Sequence, residues 1–405
     1  MVMATATAVA EKTGGQPIAL WSLAFRPFFL AVALWAALAL ALWMVVFFTG
    51  AALPTRFDPL TWHIHAMLFG FVLAAIAGFM LTAIPNWTGR PPIRGAALAS
   101  LLALWLLGRI ACLVSAFLPF WLAAGLDLAF PVVLCAVAAR EIVAARNWRN
   151  LMMPLPIGVL AIANLLMYLE LARFKVPTGL GWRLAIAAIV ALVSAIGGRI
   201  IPAFTRNWLV KRQISPLPAA HGRIDSAALV TLHTGLLGWA FFPDSRLVST
   251  LLLLGSALNL WRLARWRGTA TLREPLLAIL HVGYAWVAVG AGLLGGSLLT
   301  ATIPEPAAIH ALTAGAIGTM VLAVMTRVAR GHTGRPLEAD HVTTLIYAAV
   351  TLAGVTRVAA AFAGTSSMAL LGISALLWVI SFLLFVWKYW PMLVWPPNDE
   401  DQPSA

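Results

Sequence analysis

The chain reads as long apolar runs broken by short polar or Pro/Gly-rich stretches. A helix needs about 20 apolar residues to cross the hydrocarbon core of a bilayer. About twelve runs approach that length, over roughly 27–49, 62–85, 96–117, 119–139, 151–172, 182–203, 226–243, 247–264, 275–298, 306–326, 341–363 and 367–390. Only helices or closed barrels satisfy their backbone in lipid, and these runs are too long and continuous for barrel strands. The pattern predicts an all-α, polytopic membrane bundle of about twelve transmembrane helices.

Composition agrees. The sequence is 62% hydrophobic and 10% charged, with a mean hydropathy of +0.92, beyond the range of soluble domains. A single transmembrane domain is expected over 26–392, with tails at 1–25 and 393–405. The opening MVMATATAVAEKTGGQP has an acid and a Gly-Gly and no sharp apolar core with a cleavage site, so it does not read as a signal peptide. Lys and Arg collect on one side, from Arg26, Arg90, Arg140 and Arg206 to Arg335 and Lys388. The other side has only Arg56, Arg173, Lys175, Arg183 and Arg246. The positive-inside rule then puts both termini in the cytoplasm. It also accounts for the net charge of +13 as a basic face toward anionic lipid, with no nucleic-acid partner.

One unit recurs. HAMLFGFVLAAIAGFMLTAIPNWTGRP (65–91) aligns without a gap on HALTAGAIGTMVLAVMTRVARGHTGRP (310–336), pairing His65 with His310, Gly70 with Gly315, Met80 with Met325 and Thr88-Gly89-Arg90-Pro91 with Thr333-Gly334-Arg335-Pro336. A more worn copy, AIGGRIIPAFTR (195–206), matches AIGTMVLAVMTR (316–327). These segments are predicted helices 2, 6 and 10. The reading is three four-helix repeats over roughly 26–139, 140–266 and 267–392, all in one orientation because four is even. Arg109, His233 and Arg357 then fall 124 residues apart on the third helix of each unit. Twelve helices in three arcs of four, with histidines on helices 2, 7 and 10, also resemble the catalytic subunit of the haem-copper oxidases in architecture, a likeness that carries no function.

Ionisable side chains inside apolar runs are expensive and usually face the bundle interior. His65 and His310 are repeat equivalents at similar depth, where two opposed imidazoles can hold haem iron; the alternative is a hydrogen-bonding anchor at a helix end. His63 lies two residues from His65, some 200° around a helix, so the two do not grip one metal. His63 is read as facing a second metal centre or the headgroups. His233 and His281, within predicted helices 7 and 9, are candidate metal ligands against a background of neutral polar packing. Arg109 and Arg357 need fixed acceptors, which a haem propionate or substrate supplies as well as a protein acid such as Asp127 or Glu170. His221, His332 and His341 are read as solvated, Cys112 and Cys135 as small buried hydrophobes, and the Thr-Gly-Arg-Pro turns as helix closures. No CxxCH appears, which argues against covalent haem. No HExxH, P-loop or GxSxG supports hydrolytic or nucleotide chemistry.

WHIHAMLFGF (62–71), GFMLTAIPNWTGRPP, ARNWRNL (145–151), GGRIIPAFTRNW (197–208) and HALTAGAIGTMVLAVMTRVARGHTGRPL together resemble the NnrS family of bacterial inner-membrane proteins, from about Phe25 to Trp390. The resemblance implies a haem, with copper as a possible further metal, and a role in denitrification and in tolerance of nitric oxide; with no CxxCH the haem is expected to be non-covalent, of b type or another such type. Nitric oxide would be the ligand or substrate, the bilayer the solvent, and quinol or a redox partner the electron source. No motif separates binding from turnover, so whether the chain is an oxidoreductase is left open. Internal repeats and intramembrane Arg also suit a secondary transporter, and an assembly factor for a respiratory oxidase is a third reading.

Overall fold

The structure is a computed structural model that describes residues 18–396; most of both expected tails, at 1–17 and 397–405, lies outside the described residues. Twelve long helical elements follow one another. They are α1 (Phe25–Thr49), α2 (Pro59–Thr88), α3 (Gly95–Leu113), α4 (Phe120–Ala144), α5 (Leu155–Leu171), α6 (Leu180–Lys211), α7 (Arg223–Phe241), α8 (Arg246–Ala264), α9 (Pro275–Ser297), α10 (Glu305–Gly331), α11 (His341–Ala360) and α12 (Ser367–Val394). Eleven are long and apolar enough to cross a membrane. The exception, α7, is of similar length but carries Arg223, Asp225, Ser226, Thr231, His233 and Thr234. The chain is thus an all-helical, multi-pass membrane bundle.

Local chemistry sets the helix ends. Asp58 caps α2, its side chain accepting from the N–H groups of Leu60 and Thr61 at 3.1 Å, with Pro59 in the first turn, where a missing N–H costs nothing. The two Thr-Gly-Arg-Pro segments end α2 and α10 in the same way. Thr88 Oγ1 donates to the Ile84 carbonyl and Thr333 Oγ1 to that of Ala329, while Gly89 (φ 68°) and Gly334 (φ 74°) take the left-handed turn.

α4 packs on α5, α8 on α9, and α12 closes back on α1. The apolar stretches of α2, α10 and α9 are the most buried, at 83%, 67% and 61%, followed by α6 at 50%, whereas the other spans are at 33–39%. α2, α6, α10 and Phe29 line an apolar cavity of about 100 Å³, with residues such as Val72, Phe79, Ile196 and Met320 in its wall.

Both α2 and α10 switch from α to π winding directly after a histidine, over Ala66–Val72 and Ala311–Gly318. π turns cluster at functional sites because the extra residue per turn re-aims side chains and loosens the backbone ladder. In α2 the indole N–H groups of Trp35 and Trp105 donate to the carbonyls of Ala66 (2.9 Å) and Gly70 (3.0 Å). A Cβ at Gly70 would lie 2.2 Å from Trp35 Nε1, and one at Gly315 would lie 2.6 Å from the Trp286 ring. Glycine is therefore required at both places by the approach of an indole.

Candidate functional site

Two groups of His, Arg and Asp side chains involve the start of α2.

The first surrounds His65, which is fully buried. Its Nε2 lies 2.9 Å from Asp127 Oδ2 and 2.9 Å from Asn164 Oδ1, and Cys112 Sγ lies 3.4 Å from its Nδ1. Asn164 Nδ2 donates to Asp127 Oδ2 at 2.9 Å, and Arg109 Nη2 pairs with Asp127 Oδ1. Phe57, Phe69 and Tyr168 wall the imidazole at 5.1, 5.1 and 5.8 Å. A carboxylate only accepts, so Nε2 carries the proton toward Asp127 and Nδ1 receives the weak Cys112 S–H bond. Both ring nitrogens are therefore engaged by protein. Arg109 finds its acceptor in Asp127, the protein acid named from sequence, and Glu170 instead accepts from the Gly179 N–H at 3.1 Å.

The second cluster joins α2, α10 and α11. Arg357 interacts electrostatically with both His63 and His310, and these two histidines interact with each other. His310 Nδ1 lies 2.8 Å from the Pro306 carbonyl. Because that oxygen can only accept, Nδ1 bears the hydrogen and the Nε2 lone pair is free. His63 stacks on Trp43 (centroids 4.9 Å apart, planes at 18°), and its Nδ1 is buried with no hydrogen-bond partner. Arg357, half-buried, makes no ion pair or hydrogen bond among the described residues.

The expected grouping of histidines changes accordingly. The repeat pairs His65 with His310; in the structure His65 is held by polar and ring partners on α2 to α5 and by Phe57, while His63 and His310 both lie within electrostatic reach of Arg357. The two side chains of His63 and His65 do point apart, His63 onto Trp43 of α1 and His65 onto Asp127 of α4. Of the two arginines expected to meet a cofactor, Arg109 pairs with Asp127 through Nη2 while its Nε and Nη1 are buried without a partner, and Arg357 has no protein acceptor among the described residues. His233 Nε2 contacts Ser194 Oγ at 2.8 Å, and His281 Nε2 contacts Thr205 Oγ1 at 2.9 Å, so the structure brings neither into a cluster of metal ligands. His221 contacts Ser226 Oγ at 3.3 Å, and His332 lies against Phe25. Sequence reading passed over Asn164, whose lone amide in an apolar run was the available signal. Cys112 is buried among apolar side chains as expected, and its Sγ also meets His65 Nδ1.

Among the described residues no three His, Cys, Asp or Glu side chains gather as a metal site. A metal drawing four or more ligands from protein does not fit. Haem iron fits better, since the porphyrin supplies four nitrogens and the protein only axial imidazole. His310, with one nitrogen fixed and the other free, is suited to that role, His63 has an orphaned buried nitrogen beside it, and Arg357 is an unmatched cation of the kind a propionate neutralises. A comparison with curated proteins returned no match. A comparison with protein families matched residues 19–396, nearly the whole chain, to the family described as NnrS protein, and the chain therefore belongs to the NnrS family.

Proposed function

We propose that this protein is a haem-bearing protein of the bacterial cytoplasmic membrane that counters nitric oxide, by binding it or converting it, in the setting of denitrification. The observation that supports this reading is the grouping of His63, His310 and Arg357. Two imidazoles with open nitrogens and a cation without a carboxylate lie within electrostatic reach of one another. Such a set is costly in a bilayer unless a ligand of matching chemistry completes it.

Each residue has a definite task in this reading. Pro306 holds the His310 ring so that Nε2 presents its lone pair. Trp43 fixes the plane of His63 and keeps water from it. Arg357 holds the carboxylate of the cofactor. Haem, when bound, supplies an iron centre with affinity for nitric oxide, and the apolar helices let a small neutral gas approach from lipid. Copper, if used, takes the remaining imidazole with non-protein ligands. Turnover requires electrons from quinol or a redox partner.

The deciding experiment is an absorption spectrum of the purified protein, oxidised, reduced and reduced with nitric oxide, with metal analysis of the same sample. About one haem per chain and a Soret band that shifts with nitric oxide are expected. Colourless, metal-free protein from haem-replete cells would overturn the proposal and favour a transporter.

A further inference from the structure

α6 is longer than a crossing requires. Its 32 residues extend roughly 48 Å at 1.5 Å per residue, against a hydrocarbon core of about 30 Å. Its last turns, from near Arg199 onward, therefore stand at headgroup level on the basic side of the bundle. There, between α6, the loop carrying Pro218 to His221, and Trp266, lies a cavity of about 560 Å³.

Its charges are unbalanced. Arg199 and Arg206 line it from two turns of one helix face, both exposed, and neither has an ion pair or hydrogen bond among the described residues. Arg262 lies deeper, 1% exposed, bonded to Asp225 Oδ1 at 3.0 Å and to the Tyr284 hydroxyl at 2.7 Å. It presses so closely on α6 that a Cβ at Gly198 would fall 2.1 Å from its Nη2. Asp225 is the acid in the lining, and its second oxygen is taken by Arg265 at 3.0 Å and the Gly222 N–H at 2.9 Å. Arg199 and Arg206 are thus left in excess. Pro202, Leu229 and Trp266 supply apolar wall, and Ala195 and Ala203 form an exposed, side-chain-poor strip of α6 beside the arginines.

We propose that this cavity binds the headgroup of an anionic phospholipid, its phosphate held by Arg199 and Arg206 and its acyl chains leaving along Ala195 and Ala203. Basic pockets between transmembrane helices at headgroup depth have the right chemistry for this. The apolar wall and the exit along α6 favour a lipid over a free phosphate. Placing fixed cations here ties the lipid to α6 and to the turn that joins it to α7, without involving the histidine site at the opposite end.

The test is native mass spectrometry of protein carried through detergent exchange with phosphatidylglycerol or phosphatidylcholine. Wild type should retain phosphatidylglycerol and not phosphatidylcholine. The Arg199→Gln/Arg206→Gln variant should retain roughly tenfold less or lower still, each arginine contributing about one surface-cation's worth of attraction. Arg94→Gln, an exposed basic position on the same side outside the cavity, should behave as wild type. Should the double variant fail to fold, Arg206→Gln alone should weaken retention and Arg206→Lys restore it. Equal retention by wild type and the arginine variants, or equal retention of the two lipids, overturns the proposal. Loss of bound lipid to millimolar inorganic phosphate would make this a free-phosphate site and overturn it as well.

Discussion

His63 and His65 stand two residues apart on α2 and have different surroundings: His65 is locked between Asp127 and Cys112, while His63 stacks on Trp43 within electrostatic reach of His310 and Arg357. Variants at these positions should therefore differ in kind. His310→Ala and His63→Ala should lose haem during purification, whereas His65→Ala should retain it and unfold at lower temperature. Pyridine haemochrome content and thermal unfolding of the same preparations separate the two effects. Equal haem loss in all three would return His65 to the cofactor.

Asp127 is the shared acceptor of Arg109, His65 and Asn164, all essentially without solvent. Removing it leaves a buried guanidinium uncompensated, a change that typically costs about 3–5 kcal/mol. Asp127→Ala should be strongly destabilised, and Arg109→Met with Asp127→Leu should recover most of the loss, since an apolar pair of similar volume avoids the desolvation. Thermal unfolding in detergent measures both. A double variant no more stable than Asp127→Ala would show that the polar network itself is needed.

Gly70→Ala should destabilise the bundle by about 1–3 kcal/mol, because the new methyl overlaps Trp35 and breaks the indole bond to Ala66. Gly125→Ala on α4 is the control, with nothing within 4 Å of the added carbon. It should be neutral or more stable by up to about 1 kcal/mol, since alanine suits a helix interior better.

Asp340, just before α11, supplies a pH-dependent contribution. Burial raises its carboxyl, but the Thr343 N–H at 2.8 Å and the Lys388 ammonium at 2.9 Å outweigh that and hold it well below the usual range. A depressed carboxyl stabilises the fold above its unfolded value, near 4, and the contribution falls away as pH drops below that. Asp340→Asn should cost about 1 kcal/mol at pH 7, a modest amount for a partly exposed cap and ion pair. Its deficit relative to wild type should begin to narrow only below about pH 4. A deficit that vanishes already at pH 6 would contradict the assignment.

Helix number and position were legible along the chain because the cost of placing a residue in lipid is local and adds up over each run. Predicted boundaries such as 247–264 and 275–298 lie within a residue or so of Arg246–Ala264 and Pro275–Ser297. The Thr-Gly-Arg-Pro closures were legible too, since a left-handed turn and a hydroxyl cap depend only on neighbours. Depth was readable from position in the run, which placed His63, His65 and His310 near one end.

Rotation was not legible. These helices are apolar nearly all round, so no stripe of polar residues announces which side faces the bundle, and only packing decides it. The tertiary structure turned His63 toward Trp43 and His65 toward Asp127. It brought Asn164 from α5 to a carboxylate on α4, and left Arg357 without the acid that Arg109 found. The sequence by itself determined a membrane bundle of about twelve helices of the NnrS type with ionisable groups at known positions along those helices; the fold alone determined which of those groups meet, because contacts between distant helices depend on their rotation and tilt.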